Sequence, residues 1–178
     1  MRTDPPRYPA GHLPPDLPES FALADLEARI VELERAPGEL RASVRGQSEA
    51  QLDTAYRNWT IRQIVHHLPD SHVNGYVRFM LALTEDTPTI RPYDETAWSA
   101  LGRSRTGDIA IPLALMDSIH ASWVGLMRQM SVADFARPYH HPELKRDVRL
   151  ADAVAQYAWH GRHHTAQILW RREAEGWN

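Results

Sequence analysis

The sequence has 178 residues, a formal net charge of −3 and a single lysine, so one domain is expected, large enough to bury its own core, with no basic field for nucleic acid. It has no cysteine, which excludes disulfides and thiolate ligands and leaves His, Asp and Glu to hold any transition metal. No apolar run approaches the roughly 20 residues of a membrane span and no signal-peptide pattern opens the chain, so a cytoplasmic protein without a membrane partner is expected.

Residues 1–19 hold six of the thirteen prolines and read as a proline-rich arm on the surface, anchored by Tyr8, Leu13 and Leu17. The remaining 20–178 read as one domain. Leu23, Leu26, Ile30 and Leu33 recur at helical spacing, with Ser20 as a plausible cap. Pro37 and Gly38 are expected to kink or divide that helix. Residues 46–58 are polar and read as a connection. "TIRQ" then fits a capping box, Thr60 at the cap and Gln63 reaching back, with Trp59 and Ile64 at the flanking apolar positions. The helix it opens should run to about Thr84, kinked at Pro69.

A loop through "EDTPTIRPYDE", a short helix near 94–101 and a polar turn at 102–108 follow. A third long helix begins near Pro112, a proline suited to a first turn, and ends near Met130. Residues 131–149 read as irregular with room for one short strand. The last helix spans about Leu150 to Glu173, with Asp152 in its first turn and Gly176 beyond its end. No long segment alternates with strand period. Four long helices in one domain predict an all-α four-helix bundle, and the long connection between the second and third permits a crossover.

Nine of the ten histidines lie after residue 60. At 100° per residue, "YAWHGRHHTAQILW" splits its three. His164 falls on the face of Leu150, Val154, Tyr157, Gly161 and Ile168, and His160 lies at its edge. Spaced i, i+4, these two can converge on one ion. His163 points nearly opposite, with Trp159 and Trp170, either towards the arm or towards another subunit. On the second long helix a polar stripe of Gln63, His67, Ser71, Asn74 and Arg78 runs between two apolar flanks, which suggests that it faces a pocket. His66 points to another flank. A third histidine would complete a catalytic metal site with an open position. By geometry His67 and His72 both compete for it.

"WTIRQIVHHLPDSHVNGYVRFMLALTE", "PTIRPYDETAW" and "YAWHGRHHTAQI", in that order, resemble the YfiT-like branch of the DinB-like superfamily over roughly residues 8 to 177. The resemblance implies a bundle with up-down-down-up connectivity, a divalent ion, zinc or nickel, and a homodimer. Its "HHL" and "WHxxHH" motifs map the three metal ligands onto His67, His160 and His164, which settles the contest for His67. Pro69 departs from the small residue that relatives often carry there. His72 and Ser71 then become supports behind the ligands. Asn74 and Arg78 become candidates to bind substrate, the arginine through a carboxylate. Tyr93, Asp94 and Glu95 are expected at the pocket rim; His66, His140, His141 and His163 are expected at the surface or rim. His12 and His120 have no partner legible in the sequence.

Three neutral ligands leave an ion its full charge, able to activate water for hydrolysis or a thiol for attack on an electrophile. The resemblance implies a metal-dependent enzyme acting on small molecules. The wider superfamily includes enzymes that use low-molecular-weight thiols such as bacillithiol, and S-transfer is the leading expectation. Metal-dependent hydrolysis and a non-catalytic, metal-binding stress-response protein are the alternatives. Without a cysteine in the chain, the thiol would have to be a cosubstrate.

Overall fold

The computed structural model describes residues 4–177. Residues 1–3 of the expected arm and Asn178 at the end of the expected domain lie outside the described residues. In chain order the elements are α1 (Leu23–Ser43), α2 (Glu49–Leu52), β1 (Ala55–Tyr56), β2 (Trp59–Thr60), α3 (Ile61–Thr84), α4 (Glu95–Ser99), α5 (Gly102–Thr106), α6 (Ala110–Met127), α7 (Val132–Ala136), β3 (Pro138–His141), β4 (Arg146–Arg149) and α8 (Leu150–Glu175). The four long helices α1, α3, α6 and α8 form a bundle in which α1 packs on α8 and α6, and α3 packs on α6 and α8.

The helix ends follow local chemistry. α3 opens with the expected capping box: Thr60 Oγ1 accepts from the Gln63 amide at 3.1 Å, and Gln63 Oε1 accepts from the Thr60 amide at 2.9 Å. α8 closes at Gly176, whose φ of 67° needs a residue without a Cβ. α1 starts later than Ser20 suggests. The Asp25 carboxylate accepts from the Ala22 amide at 2.7 Å, and its charge suits the helix N-terminus.

The expected division at Pro37 does not occur, and α1 runs through it unbroken. Proline removes the amide that would bond to the carbonyl four residues back, on Leu33. That carbonyl instead accepts from buried His120 Nδ1 at 2.5 Å, so another helix satisfies it. Pro69 also lies inside a continuous helix.

The connections are more ordered than their composition implies. Residues expected as a polar turn form α5, and 131–149 form α7 and a β3–β4 hairpin. Both hairpins are antiparallel, with strands of only two and four residues, too short to leave a period-two signature. Arg62, 2 % exposed, ties the α1–α3 connection down by donating to Asp53 and Glu49 at 2.8 and 2.6 Å. α6 is long and apolar enough, by length and composition alone, to cross a membrane, closer to a span than its runs suggest. In the bundle it turns Leu113, Met116, His120 and Trp123 inward and leaves Ile111 exposed.

The core has two apolar clusters. One gathers Leu26, Ile30 and Leu33 of α1, Phe79 and Ala82 of α3, Trp123 and Met127 of α6, and Leu150 to Ala158 of α8. The other gathers Ala36 and Leu40 of α1, Ile61, Ile64, Val65 and Leu68 of α3, Leu113 and Met116 of α6, and Ile168 of α8. In the seam between the clusters stand His72 of α3, His120 of α6 and His160 and His164 of α8, with Leu33 at the edge of the first cluster on α1. Gly75 lets α3 approach closely beside this seam: a Cβ there would lie 2.5 Å from Tyr157 Cζ and 2.6 Å from Trp123 Cη2.

The arm, residues 4–19, carries no helix or strand but is pinned along its length. Pro6 O accepts from the Tyr56 hydroxyl at 2.5 Å, and Gly11 O accepts from Trp159 Nε1 at 2.9 Å. The Leu17 amide donates to Asp152 at 2.8 Å, and Asp16 pairs with Arg146 at 2.6 Å. Tyr8 and Leu17 make contacts, whereas Leu13 is 51 % exposed and anchors nothing.

Candidate metal centre

His67 on α3 and His160 and His164 on α8 come together at the seam. One ring nitrogen from each lies within 4.8 Å of the other two. His67 Nε2 and His160 Nε2 are 3.1 Å apart. Two imidazole nitrogens on one tetrahedral zinc stand about 3.3 Å apart, from bonds of about 2.0–2.1 Å. Helix geometry sets this convergence: the i, i+4 pair shares a face of α8, and α3 packs alongside.

His72 is not part of this set. It is fully buried, and its Nε2 lies 3.1 Å from His160 Nδ1, on the side of that ring away from His67. It therefore stands behind His160. His164 is held by a different residue: its Nδ1 lies 2.7 Å from Gln167 Oε1, which can only accept, so His164 Nε2 is left with its lone pair.

Two cavities open beside the histidines. One, of about 540 Å³, reaches His160 and is lined by Ser71, Arg78, Tyr157, Tyr93, Glu95 and His141, among others. The second, of about 460 Å³, reaches His164 and is lined by Tyr8, Tyr56, Arg57, Trp59 and again Glu95. Glu95 thus borders both.

The profile of the DinB superfamily matches residues 32–168. The chain belongs to the DinB superfamily. Among similar proteins of known sequence, YfiT of Bacillus subtilis is 43 % identical over 173 residues, 96 % of each chain, and bears the name of a candidate metal-dependent hydrolase. A Bacillus licheniformis protein with the same designation is 46 % identical over 156 residues, 86 % of this chain and 89 % of its own. The solved structure of Bacillus subtilis YfiT superposes with a TM-score of 0.92 over 96 % of this chain and 98 % of that one, and is described as a four-helix bundle of unusual topology.

Within this DinB-superfamily bundle the three rings suit a divalent cation. Burial pushes His67 down to about 4, and burial together with neighbouring rings holds His160 and His164 well below the ordinary histidine value. All three are therefore neutral near pH 7, with lone pairs available to an ion. The donor set, three imidazoles and no thiolate, matches zinc or nickel among other borderline metals.

The other expected site residues divide. Arg78 reaches the first cavity with 9 % exposure; its guanidinium donates to the Tyr157 hydroxyl at 3.1 Å and has no ion-pair partner among the described residues. Ser71 also opens into that cavity, beside the Tyr93 phenol, rather than bracing a ligand ring. Asn74 donates its amide to Asp70 O at 2.8 Å and lines an adjoining cleft that shares Tyr93 and Asp94 with the first cavity. Tyr93, Asp94, Glu95 and His141 do rim the first cavity. Burial, with Asp94 and Glu143 close by, pushes the Glu95 carboxyl up.

The expectation of a surface or rim position is corrected for His66. His66 is 3 % exposed, because neighbouring α5 covers its flank of α3. His163 lines the second cavity, a rim position as expected, but is only 7 % exposed, stacked on Trp159 with ring centroids 4.6 Å apart and covered by Tyr8 of the arm. The arm meets it there. Trp170 leaves that stripe and packs edge-on against Tyr56. Sequence reasoning missed His120 and Gln167. The signal for His120 was Pro37, which frees a carbonyl for a buried donor to find.

Proposed function

We propose that this protein is a metal-dependent enzyme that holds one divalent ion, zinc or nickel, on His67, His160 and His164. The observation that carries the reading is the convergence of three neutral imidazoles, one of which, His160, lines a cavity together with Arg78. An ion there would act as a Lewis acid and lower the pKa of a water or thiol that it binds.

The chain's own residues supply the rest. Arg78, buried and without a carboxylate partner among the described residues, binds an anionic group of a small substrate, since a desolvated guanidinium gains most from a counter-charge. Glu95, on the wall between the two cavities and with its carboxyl pushed up, exchanges protons with the reacting group. Tyr8 and Trp59 shield the His164 side from water. The four long helices run up-down-down-up. The two apolar clusters support this, because each joins the first half of α1 and α8 to the second half of α3 and α6, or the converse.

For the reaction we favour transfer of a low-molecular-weight thiol to an electrophile. Two cavities meeting at one histidine cluster suit two substrates, and the thiol must come from outside a chain without cysteine. Hydrolysis is the second reading, favoured by the designation of the Bacillus relatives. Zinc- and nickel-loaded protein, assayed with a chromogenic electrophile plus cysteine, glutathione or bacillithiol and in parallel with ester and amide substrates, separates them. Thiol-dependent turnover supports transfer. Turnover of esters or amides without thiol supports hydrolysis. Absence of both, or activity that survives in metal-stripped protein carrying His160→Ala and His164→Ala, overturns the enzyme reading.

A further inference from the structure

Behind the proposed ligands, one hydrogen-bonded line joins all four long helices. The Leu33 carbonyl on α1 meets His120 Nδ1 on α6 at 2.5 Å. His120 Nε2 meets His72 Nδ1 on α3 at 2.8 Å, and His72 Nε2 meets His160 Nδ1 on α8 at 3.1 Å. The line is buried: His120 is 2 % exposed and His72 is not exposed at all.

The proton positions along it follow from its fixed end. A carbonyl can only accept, so His120 Nδ1 carries a proton. A neutral imidazole has one N–H, so His120 Nε2 is an acceptor and His72 Nδ1 must donate to it. By the same rule His72 Nε2 accepts, and His160 Nδ1 donates. That leaves the His160 Nε2 lone pair directed at His67 Nε2. Burial keeps both supporting rings neutral, with His120 pushed down to about 4. The end point is set by sequence: Pro37 has no amide to offer the Leu33 carbonyl, and its ring pushes that carbonyl off the helix axis.

We infer that Pro37, Leu33, His120 and His72 form a positioning line that fixes His160 as the Nδ1–H tautomer and so presents Nε2 to the metal. The inference rests on the three-histidine metal reading for its purpose, but the tautomer pattern itself exists without an ion. Fixing a ligand's tautomer and ring orientation typically changes metal affinity by about 10–100-fold. The two anchored ligands differ here. His164 is fixed by its neighbour Gln167 on the same helix, whereas His160 is fixed through three other helices.

The test uses the full chain with 15N-labelled histidine. Two-bond nitrogen–proton correlations on the wild-type apoprotein should show His120, His72 and His160 all protonated at Nδ1. Zinc affinity, measured by competition with a chromophoric chelator, should fall about 10–100-fold in His72→Phe. It should recover to within a few fold in His72→Gln, whose side chain both accepts and donates. Pro37→Ala returns a competing amide to Leu33 and should mix the His120 tautomers with a smaller loss of affinity. If His72→Phe does not fold, the wild-type tautomers and Pro37→Ala decide the matter. His160 protonated at Nε2 in the apoprotein, or wild-type affinity in His72→Phe, overturns the inference. A wild-type protein that binds no divalent ion but shows the expected tautomers instead overturns the metal reading and leaves the line standing.

Discussion

The apolar clusters and the histidine layer between them are built by the same four helices on opposite physical terms. In the clusters, side chains such as Trp123, Phe79 and Leu40 leave water completely and gain by burial and close contact. In the layer, His67, His72, His120 and His164 are nearly as buried, yet each brings two polar nitrogens that must be satisfied. The clusters stabilise the fold at any pH. The layer holds only while its rings are neutral and its bonds are complete. A bundle can thus place a costly polar site in its middle when apolar packing on both sides supports it.

Acid tests that contrast most strongly. His67 and His120 are held down to about 4, below the ordinary value near 6.5 in the unfolded chain. Between pH 6.5 and 4 the unfolded state therefore binds more protons, and stability is lost as pH falls through that window. Urea titrations of apoprotein should show a loss of several kcal/mol, with the unfolded state binding at least two more protons, since His72, His160 and His164 are held down as well. A pH-independent midpoint over this range would show that the rings are not buried neutral.

Trp123→Ala probes the other side of the comparison. It removes a fully buried ring that packs against Phe79 and Tyr157, each with centroids 5.0 Å away. It should cost about 3–5 kcal/mol in denaturant unfolding, at neutral and at mildly acid pH alike. Zinc sharpens the comparison from the layer's side. At 100-fold excess over its dissociation constant it should stabilise the wild type by about 2.7 kcal/mol, read as a rise in Tm, and should have no such effect on His164→Ala. At the periphery, Asp16→Asn breaks the exposed pair with Arg146 that helps to hold the arm. It should shift stability by less than about 1 kcal/mol and leave zinc affinity unchanged.

Much of the scaffold was legible because its signals are local. The Thr60–Gln63 box, the Gly176 terminator and the i, i+4 spacing of His160 and His164 depend on residues within one turn. The family motifs point to His67, and the structure brings it to the other two rings. Pro37 misleads when read locally, since its cost is removed by a donor 83 positions later in the sequence, His120. For Asn74, a helical wheel cannot show that its amide bonds to the Asp70 carbonyl. The hairpins are missed because two- and four-residue strands carry too little periodicity.

The sequence by itself determined the all-helical class, the lack of thiolate chemistry and the histidines available to a metal, since composition and helical period are properties of the chain alone. Only the tertiary structure decided which nitrogens face which partners. It set His72 behind His160, buried His163 under the arm, left Arg78 without an ion-pair partner among the described residues and joined Leu33 to His120. Each of these depends on distances between helices far apart in sequence, and those distances are fixed by how two apolar clusters pack around a polar seam.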